Sequence, residues 1–319
     1  PAQGEPVFAM PAFERSRLTA PQPFAHQAFT YVDGEDPTGP VRQAVMALPE
    51  VHHLAVEFLQ MRVHEHRLVK AHLPNVYTHD AGPLMDTLRL CKTPDEADAM
   101  RRAVSISEAA LDALLARVTP GMTEREIAAL LNVAQIERGG GPVPFESLIQ
   151  SGPNSAMPHG STGDRALQPG DNLLLDFGTR HAGYVSDITR TVVVGSEPSP
   201  KFHEVYEAVR AANAAGRAAA GPGTPCQEVD RAARRVIEQA GYGPYFNHRL
   251  GHGIGLEAHE GPYMVEGNTT VLQPGMAFTI EPGIYLPGEF GVRIEDNVVV
   301  TENGAESLTT FSRDLRVVG

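Results

Sequence analysis

The sequence lacks tryptophan altogether, contains two cysteines in 319 residues, and has only 6% aromatic residues. It also lacks an excess of positive charge, because 26 lysines and arginines against 39 aspartates and glutamates leave a net charge of −13. So acidic a chain would repel nucleic acid and anionic membranes, which excludes both as general partners. Cys91 and Cys226 are too few and too far apart for a disulfide framework or a cysteine metal site. They favour reduced thiols in a cytoplasmic protein.

Long hydrophobic runs are missing as well. No run approaches the roughly 20 apolar residues that a membrane helix needs, and acidic and basic residues interrupt the first thirty positions, where a secretory signal would be apolar. We therefore expect neither a membrane span nor export. Because the chain begins at Pro1 and not at Met, we also expect an opening segment of the natural protein to be missing.

The sequence pattern changes near residue 90, from short apolar runs and turns to a long helical segment. Residues 1–90 alternate short apolar runs with proline-rich turns, and the length of the chain allows about two domains. Thr93 can cap a helix, and Pro94 suits the first helical position. Carboxylates follow in the first turn, where the helix dipole favours them. The pattern predicts a helix over residues 94–118. It also predicts one domain over residues 1–90 and a second over residues 91–319.

The second domain repeats itself at a spacing of about one hundred residues. Residues 120–127 open a segment that ends in a run of glycines, and residues 222–229 open a matching segment at an offset of 102. Leu-Gln-Pro-Gly occurs at residues 167–170 and again at 272–275, and an acid follows the glycine by six residues each time. A chance similarity of amphipathic helices does not explain these shared motifs. The repeat therefore predicts two related halves, each with helices followed by strands.

Each half carries two acids that a hairpin would bring face to face. A turn centred midway between positions 181 and 182 would place Asp176 opposite Asp187, and a turn centred on Gly288 would place Glu281 opposite Glu295. Opposed side chains have Cβ atoms about 5 Å apart, so like charges repel. Two related halves would bring the pairs together, and four carboxylates in a medium of reduced dielectric must take up protons or bind cations. Two divalent cations would balance their charge.

A glycine-rich segment offers a nitrogen ligand. His252 lies between two glycines, which let the backbone approach a crowded metal site closely. His248 and His259 lie four residues before it and seven residues after it, so three imidazoles can converge on one pocket. Oxygen-rich ligation with one histidine suits Mn²⁺, with Co²⁺ and Zn²⁺ as alternatives. Hydrolases of this kind often hold two metal ions about 3.5–4 Å apart.

This ordered set of two aspartates, one histidine and two glutamates resembles the pita-bread metallopeptidases, a family that includes methionine aminopeptidase, aminopeptidase P and prolidase. The likeness runs from about residue 92 to residue 319 and is strongest to the Xaa-Pro peptidases, through the motifs at 186–191, 251–256, 281–285 and 291–296. It implies an α+β fold, with a pseudo-two-fold pita-bread catalytic domain after a smaller, creatinase-like α/β domain. It also implies a homodimer that hydrolyses the imide bond after the first residue of small peptides with proline in second position.

The resemblance also implies roles for individual residues. Asp187 and Glu295 would bridge two metal ions, Asp176 would complete one site, and His252 with Glu281 would complete the other. Glu281 would also relay a proton from a water whose pKa the cations lower from 15.7 towards roughly 7. The residues that face the substrate would be His159, His248, His259 and Arg293. Of these, His248 and His259 would position the scissile carbonyl group and stabilise the developing oxyanion. His159 would bind the amine end or help to protonate the leaving group, and the roles of the three histidines are interchangeable at this point.

Four other interpretations fit parts of this pattern. Methionine aminopeptidase fits less well, because this chain has an additional N-terminal domain and a short connection between Glu281 and Glu295. Aminopeptidase P, which acts on longer peptides, differs only in what blocks the far side of the pocket. A creatinase-like enzyme without metal and an inert binding protein both conflict with an intact ligand set. The residue preferred before proline stays open.

Overall fold

The computed structural model describes residues 4–18 and 24–319, and the chain divides into two compact units, Pro1–Thr87 and Leu88–Gly319. No helix among the described residues is both long and apolar enough to cross a lipid bilayer.

The first unit alternates short strands and helices. Its elements are β1 Val7–Pro11, a 3₁₀ helix Ala12–Leu18, β2 Gln27–Tyr31, α1 Thr38–Met46, β3 His53–Val56, α2 Val63–His72, β4 Tyr77–Asp80 and, running on into the second unit, α3 Gly82–Leu90. β1 pairs in parallel with β2, and β3 pairs in parallel with β4. The helix α2 connects β3 to β4, as parallel neighbours require a crossover.

The second unit contains four long helices and thirteen strands among the described residues. The helices are α4 Pro94–Leu115, α5 Glu124–Glu137, α6 Pro200–Ala219 and α7 Cys226–Gln239. The strands are β5 Leu148–Ser151, β6 Asn172–Phe177, β7 Arg180–His181, β8 Tyr184–Val185, β9 Ile188–Val194, β10 Gly251–Gly253, β11 Glu260–Met264, β12 Ala277–Ile280, β13 Gly283–Leu286, β14 Phe290–Arg293, β15 Asp296–Thr301, β16 Gly304–Ser307 and β17 Val317–Val318.

Two halves of the second unit share one plan. The helices α5 and α7 each have 14 residues and begin 102 residues apart (226 − 124), which is the offset of the sequence repeat. One half packs α4 and α5 on the sheet β17-β9-β6-β5, and the other packs α6 and α7 on the sheet β11-β10-β12-β15-β16. A third apolar cluster joins the halves, with Met100 and Ile188 from one and Ala277 and Val299 from the other. The predicted duplication is confirmed.

The start of α4 is the one predicted from sequence. The Thr93 side chain accepts a hydrogen bond from the Glu96 amide, the Glu96 carboxylate accepts one from the Thr93 amide, and Pro94 is the first helical residue. Such a cap contributes about 1 kcal/mol. The helix ends at Leu115, three residues before its predicted end, and the chain forms a turn at residues 116–117.

Candidate metal centre

The acids of the first half do not pair as the sequence predicts. In the β6–β9 ladder Asp176 is opposite Thr189, and Asp187 lies just before β9. The turn is centred between Ala182 and Gly183, which have φ of 49° and 89°. Two successive left-handed residues form the two-residue turn that suits a twisted hairpin. The predicted direct opposition of Asp176 and Asp187 is therefore wrong, because the hairpin turns one position later than assumed.

The acids of the second half keep the predicted register. β12 pairs with β15 and β13 pairs with β14 in one continuous antiparallel register, which places Glu281 opposite Glu295 between the two ladders. Gly288 lies at the centre of the turn with φ of 74°, a conformation that glycine adopts without strain.

Asp187, His252 and Glu295 offer ligand atoms that all lie within 4.8 Å of one another, and all three residues are buried. The His252 Nε2 atom lies 3.7 Å from Asp187 Oδ2 and 3.4 Å from Glu281 Oε1. Its Nδ1 lies 3.1 Å from the Gly253 carbonyl oxygen and donates to it, which leaves the Nε2 lone pair facing the carboxylates. The glycines beside His252 are required, because a Cβ at Gly253 would collide with the Gly261 carbonyl oxygen.

Some carboxylate oxygens of the site have hydrogen-bond or ion-pair partners, and others have none among the described residues. Glu295 Oε2 accepts a hydrogen bond of 2.6 Å from Thr189, and Asp176 forms an ion pair with Arg293. Asp187 Oδ1 and Glu295 Oε1, in contrast, are buried without a hydrogen-bond partner in the part of the chain that the structure describes. Buried polar atoms normally have partners, so these two oxygens are available to a cation or a proton. The donor set of carboxylate oxygens and one imidazole nitrogen fits a divalent metal ion.

The electrostatics of the site point the same way. Burial raises the pKa of Asp187 and of Glu295 well above the usual carboxylate range, and repulsion by neighbouring carboxylates adds to it. Burial also raises the pKa of Glu281 to about 7. It lowers the pKa of His252 to about 3, which keeps the imidazole neutral, the form that binds metals.

A chain of hydrogen bonds runs behind the carboxylates. The Tyr285 hydroxyl lies 2.7 Å from Arg293 Nη1, from which it accepts, and 3.0 Å from His248 Nε2. His248 Nδ1 lies 2.7 Å from the Arg249 carbonyl oxygen and donates to it, so Nε2 is the acceptor for the Tyr285 hydroxyl. Burial and then the charge of Arg293 lower the pKa of His248 to about 3. The sequence did not single out Tyr285 as a site residue, although it lies in the quoted motif at 281–285.

One cavity of about 290 Å³ brings all the sequence-predicted site residues together. They are Asp176, Asp187, His252, Glu281, Glu295, His159, His248, His259 and Arg293. The lining also includes residues that the sequence did not identify, among them Phe145, Glu146, Ser147, Leu148, Ser161 and Thr162. A neighbouring cavity shares the three substrate-side histidines and Glu281 and adds Arg249, Tyr263 and Val265. Loop residues show no periodic pattern in a sequence, so the sequence gives no signal that these residues line the cavity.

The fold and the site define a class of metal-dependent hydrolase, and comparison with known proteins identifies the family. Residues 98–302 match the model of metallopeptidase family M24. The Xaa-Pro dipeptidase of Lactobacillus helveticus is 41% identical over 293 residues, covering 91% of this chain and 79% of that protein. The chain therefore belongs to metallopeptidase family M24.

Solved structures give the same result for the fold. A prolidase from Thermococcus sibiricus superposes with a TM-score of 0.94 at 35% identity, covering 100% of this chain and 86% of that one. An X-Pro aminopeptidase from Thermotoga maritima superposes with a TM-score of 0.87 at 33% identity, covering 99% and 88%. The predicted α+β pita-bread fold is confirmed.

Proposed function

We propose that this protein is a Xaa-Pro dipeptidase, a prolidase, that hydrolyses the imide bond of dipeptides with proline in second position. The observation that carries the proposal is the buried group Asp187, His252 and Glu295, with two unsatisfied oxygens, in a cavity that three further histidines line. Relatives named Xaa-Pro dipeptidase and a solved prolidase support the substrate class.

The proposed cofactor is a pair of divalent ions, with Mn²⁺ favoured over Co²⁺ and Zn²⁺ because oxygen donors outnumber nitrogen. Asp187 and Glu295 would bind both ions, Asp176 would complete one coordination sphere, and His252 with Glu281 would complete the other. Two ions would carry +4 against the −4 of four carboxylates, which removes the repulsion described above. When bound, the ions would lower the pKa of a water molecule and polarise the substrate carbonyl.

The protein's own side chains would then bind and orient the substrate. A raised pKa suits Glu281 to accept and relay a proton near neutral pH. His259 would contact the scissile carbonyl group, and His159, on the loop after β5, would contact the amine end or the leaving group. Arg293 and the neutral imidazole of His248, which both hydrogen bond to the Tyr285 hydroxyl, would form a polar wall of the cavity. The proline nitrogen carries no hydrogen, so none of these contacts depends on a backbone N–H there.

Aminopeptidase P activity is the second candidate. The similarity to an X-Pro aminopeptidase and the neighbouring cavity beside Arg249 and Tyr263 favour it, because that cavity offers room for a longer peptide. A paired assay separates the two: an Ala-Pro dipeptide and an Ala-Pro-Ala tripeptide, each with added Mn²⁺ and with Asp187→Asn as control. We expect turnover of the dipeptide alone. Efficient tripeptide cleavage would move the assignment to aminopeptidase P, and an active Asp187→Asn enzyme would refute the metal ligation.

Three further proposals concern the whole protein. We propose that residues 1–90 form a creatinase-like α/β domain and residues 91–319 the catalytic domain, which the division after Thr87 supports.

We propose a homodimer, because the first unit exposes apolar side chains that a second copy would cover, including Phe58, Leu59 and Val63. Sedimentation velocity tests the dimer. Two free cysteines support a cytoplasmic location, which cell fractionation tests.

A further inference from the structure

Lys92 and Glu260 form a buried ion pair close to the cavity. Lys92 Nζ lies 2.6 Å from Glu260 Oε1, and the two side chains are only 2% and 6% exposed. Removing two charges from water is energetically unfavourable, and well-packed apolar residues in the same place are often as stable or more so. A contribution to stability therefore does not explain why this ion pair is present. Its position beside the cavity suggests another role.

The pair lies beneath the short loop of residues 255–260. Glu260 Oε2 accepts a hydrogen bond of 3.3 Å from the Glu257 amide, and the Gly255 amide donates to the Glu257 carbonyl oxygen at 3.1 Å. A Cβ at Gly255 would lie 2.6 Å from Glu260 Oε1 and 2.7 Å from Lys92 Cε. The loop is thus closed over the ion pair with no room for an additional methyl group.

His259 is the residue of this loop that faces the cavity. Its ring centroid lies 4.0 Å from that of His252, at an interplanar angle of 33°. Within residues 4–18 and 24–319, no side chain or backbone group hydrogen bonds to the His259 imidazole. Its direction therefore depends on the stacking against His252 and on the backbone that carries it. Glu260 is the next residue along that backbone.

We propose that the Lys92–Glu260 pair is a positioning device that fixes the loop of residues 255–260 and so aims His259 into the cavity. Neither residue touches the substrate. The inference rests on the proposed function only in that it takes substrate contact as the task of His259.

The test compares this pair with a matched control on the surface. Lys201 and Glu289 have the same residue types and a distance of 2.7 Å, but their side chains are half exposed. We expect Glu260→Gln and Lys92→Met to lower kcat on an Ala-Pro dipeptide about 10- to 100-fold, since a misplacement near 1 Å costs that much, with metal content unchanged. We expect Glu289→Gln and Lys201→Met to stay within twofold of the parent enzyme.

Two double variants separate positioning from folding. If Glu260 acts through His259, adding Glu260→Gln to His259→Ala will cost little further activity, whereas multiplicative losses would contradict the proposal. Lys92→Met combined with Glu260→Met removes both charges and is expected to recover the melting temperature lost by either single variant. We expect kcat to remain low in this double variant. Recovery of kcat together with stability would show a structural role alone.

A measurement without substrate completes the test. In the metal-free protein, the His259 imidazole resonance can be identified by its loss in His259→Ala. We expect it to shift in Glu260→Gln and to stay in place in Glu289→Gln. An unmoved resonance in Glu260→Gln would overturn the proposal. A shifted resonance in a protein that leaves Xaa-Pro dipeptides intact would support the positioning role and contradict only the proposed activity.

Discussion

Tyr285 has its hydroxyl between Arg293 and His248, and this single group determines how both of them face the cavity. As an acceptor it fixes Arg293, which also pairs with Asp176. As a donor it keeps His248 in the tautomer with hydrogen on Nδ1. The hydroxyl stays protonated for both tasks, because burial raises the pKa of Tyr285 to about 12.

Tyr285→Phe should therefore lower kcat/KM about 10-fold while leaving the fold intact. The change removes two hydrogen bonds, one of them to a charged group, and such a bond contributes about 1.5–3 kcal/mol. Steady-state kinetics on a Xaa-Pro dipeptide measures the effect. Tyr206→Phe is the matched control, since Tyr206 is equally buried but donates to the Arg313 carbonyl oxygen outside the cavity. Equal losses in the two variants would contradict a role in the site.

The carboxylates predict how metal binding depends on pH. A raised pKa for an acid means that the metal-free fold favours the protonated form. Glu281, with an ordinary pKa of 4.5 and a folded pKa of about 7, therefore contributes stability that is complete below pH 4.5 and lost as the pH rises through 7. Divalent ions restore that stability by compensating the charge. We expect Mn²⁺ to raise the melting temperature more at pH 7.5 than at pH 5, and an equal rise would contradict this assignment.

At the scale of elements, the two hairpins show where sequence reasoning works and where it stops. Gly288 identifies the turn from the sequence alone, because glycine adopts the left-handed conformation more readily than other residues. The register that places Glu281 opposite Glu295 follows from that turn. In the first hairpin the left-handed region is shared by Gly183 and Ala182. An alanine gives no sign of that conformation, so the sequence pattern places the turn centre one position too early.

The strain at Ala182 gives a prediction for the hairpin. A left-handed residue other than glycine costs roughly 1–2 kcal/mol, and Ala182 is exposed in the turn. Ala182→Gly should therefore stabilise the protein by about 1 kcal/mol, despite the entropy that glycine adds to the unfolded chain. Ala211→Gly, at an exposed position inside α6, should destabilise it by about 1 kcal/mol. Urea unfolding of both variants gives the signs, and the same sign in both would refute the turn assignment.

At the scale of the whole molecule, the site depends on contacts between the two halves of the second unit. Arg190 from β9 reaches the Glu295 carbonyl oxygen at 2.7 Å and the Asp296 carboxylate at 2.8 Å. Arg313 joins the same carboxylate at 2.6 Å. Although burial acts to raise the pKa of Asp296, these arginines lower it below its ordinary value. The repeat in the sequence predicts the halves, but buried pairs between residues about a hundred positions apart leave no local pattern.

Asp296→Asn should accordingly destabilise the metal-free protein by about 3–5 kcal/mol, because it leaves buried arginine charge without its partner. Thermal unfolding in the presence of a chelator keeps any effect on metal binding out of the measurement. Asp112→Asn is the control, since Asp112 is exposed and lies 3.5 Å from Arg316. A loss below 1 kcal/mol in Asp296→Asn would show that the ion pairs of Asp296 contribute little to holding the halves together.

The cluster of Asp187, His252 and Glu295 draws on both halves, and Glu295 is the last of the three in chain order. During synthesis the ribosome releases the aspartate and the histidine well before the glutamate that completes the group. An unfinished chain thus holds only a fragment of the ion-binding set. Peptide-cleaving activity would arise only once translation has passed Glu295.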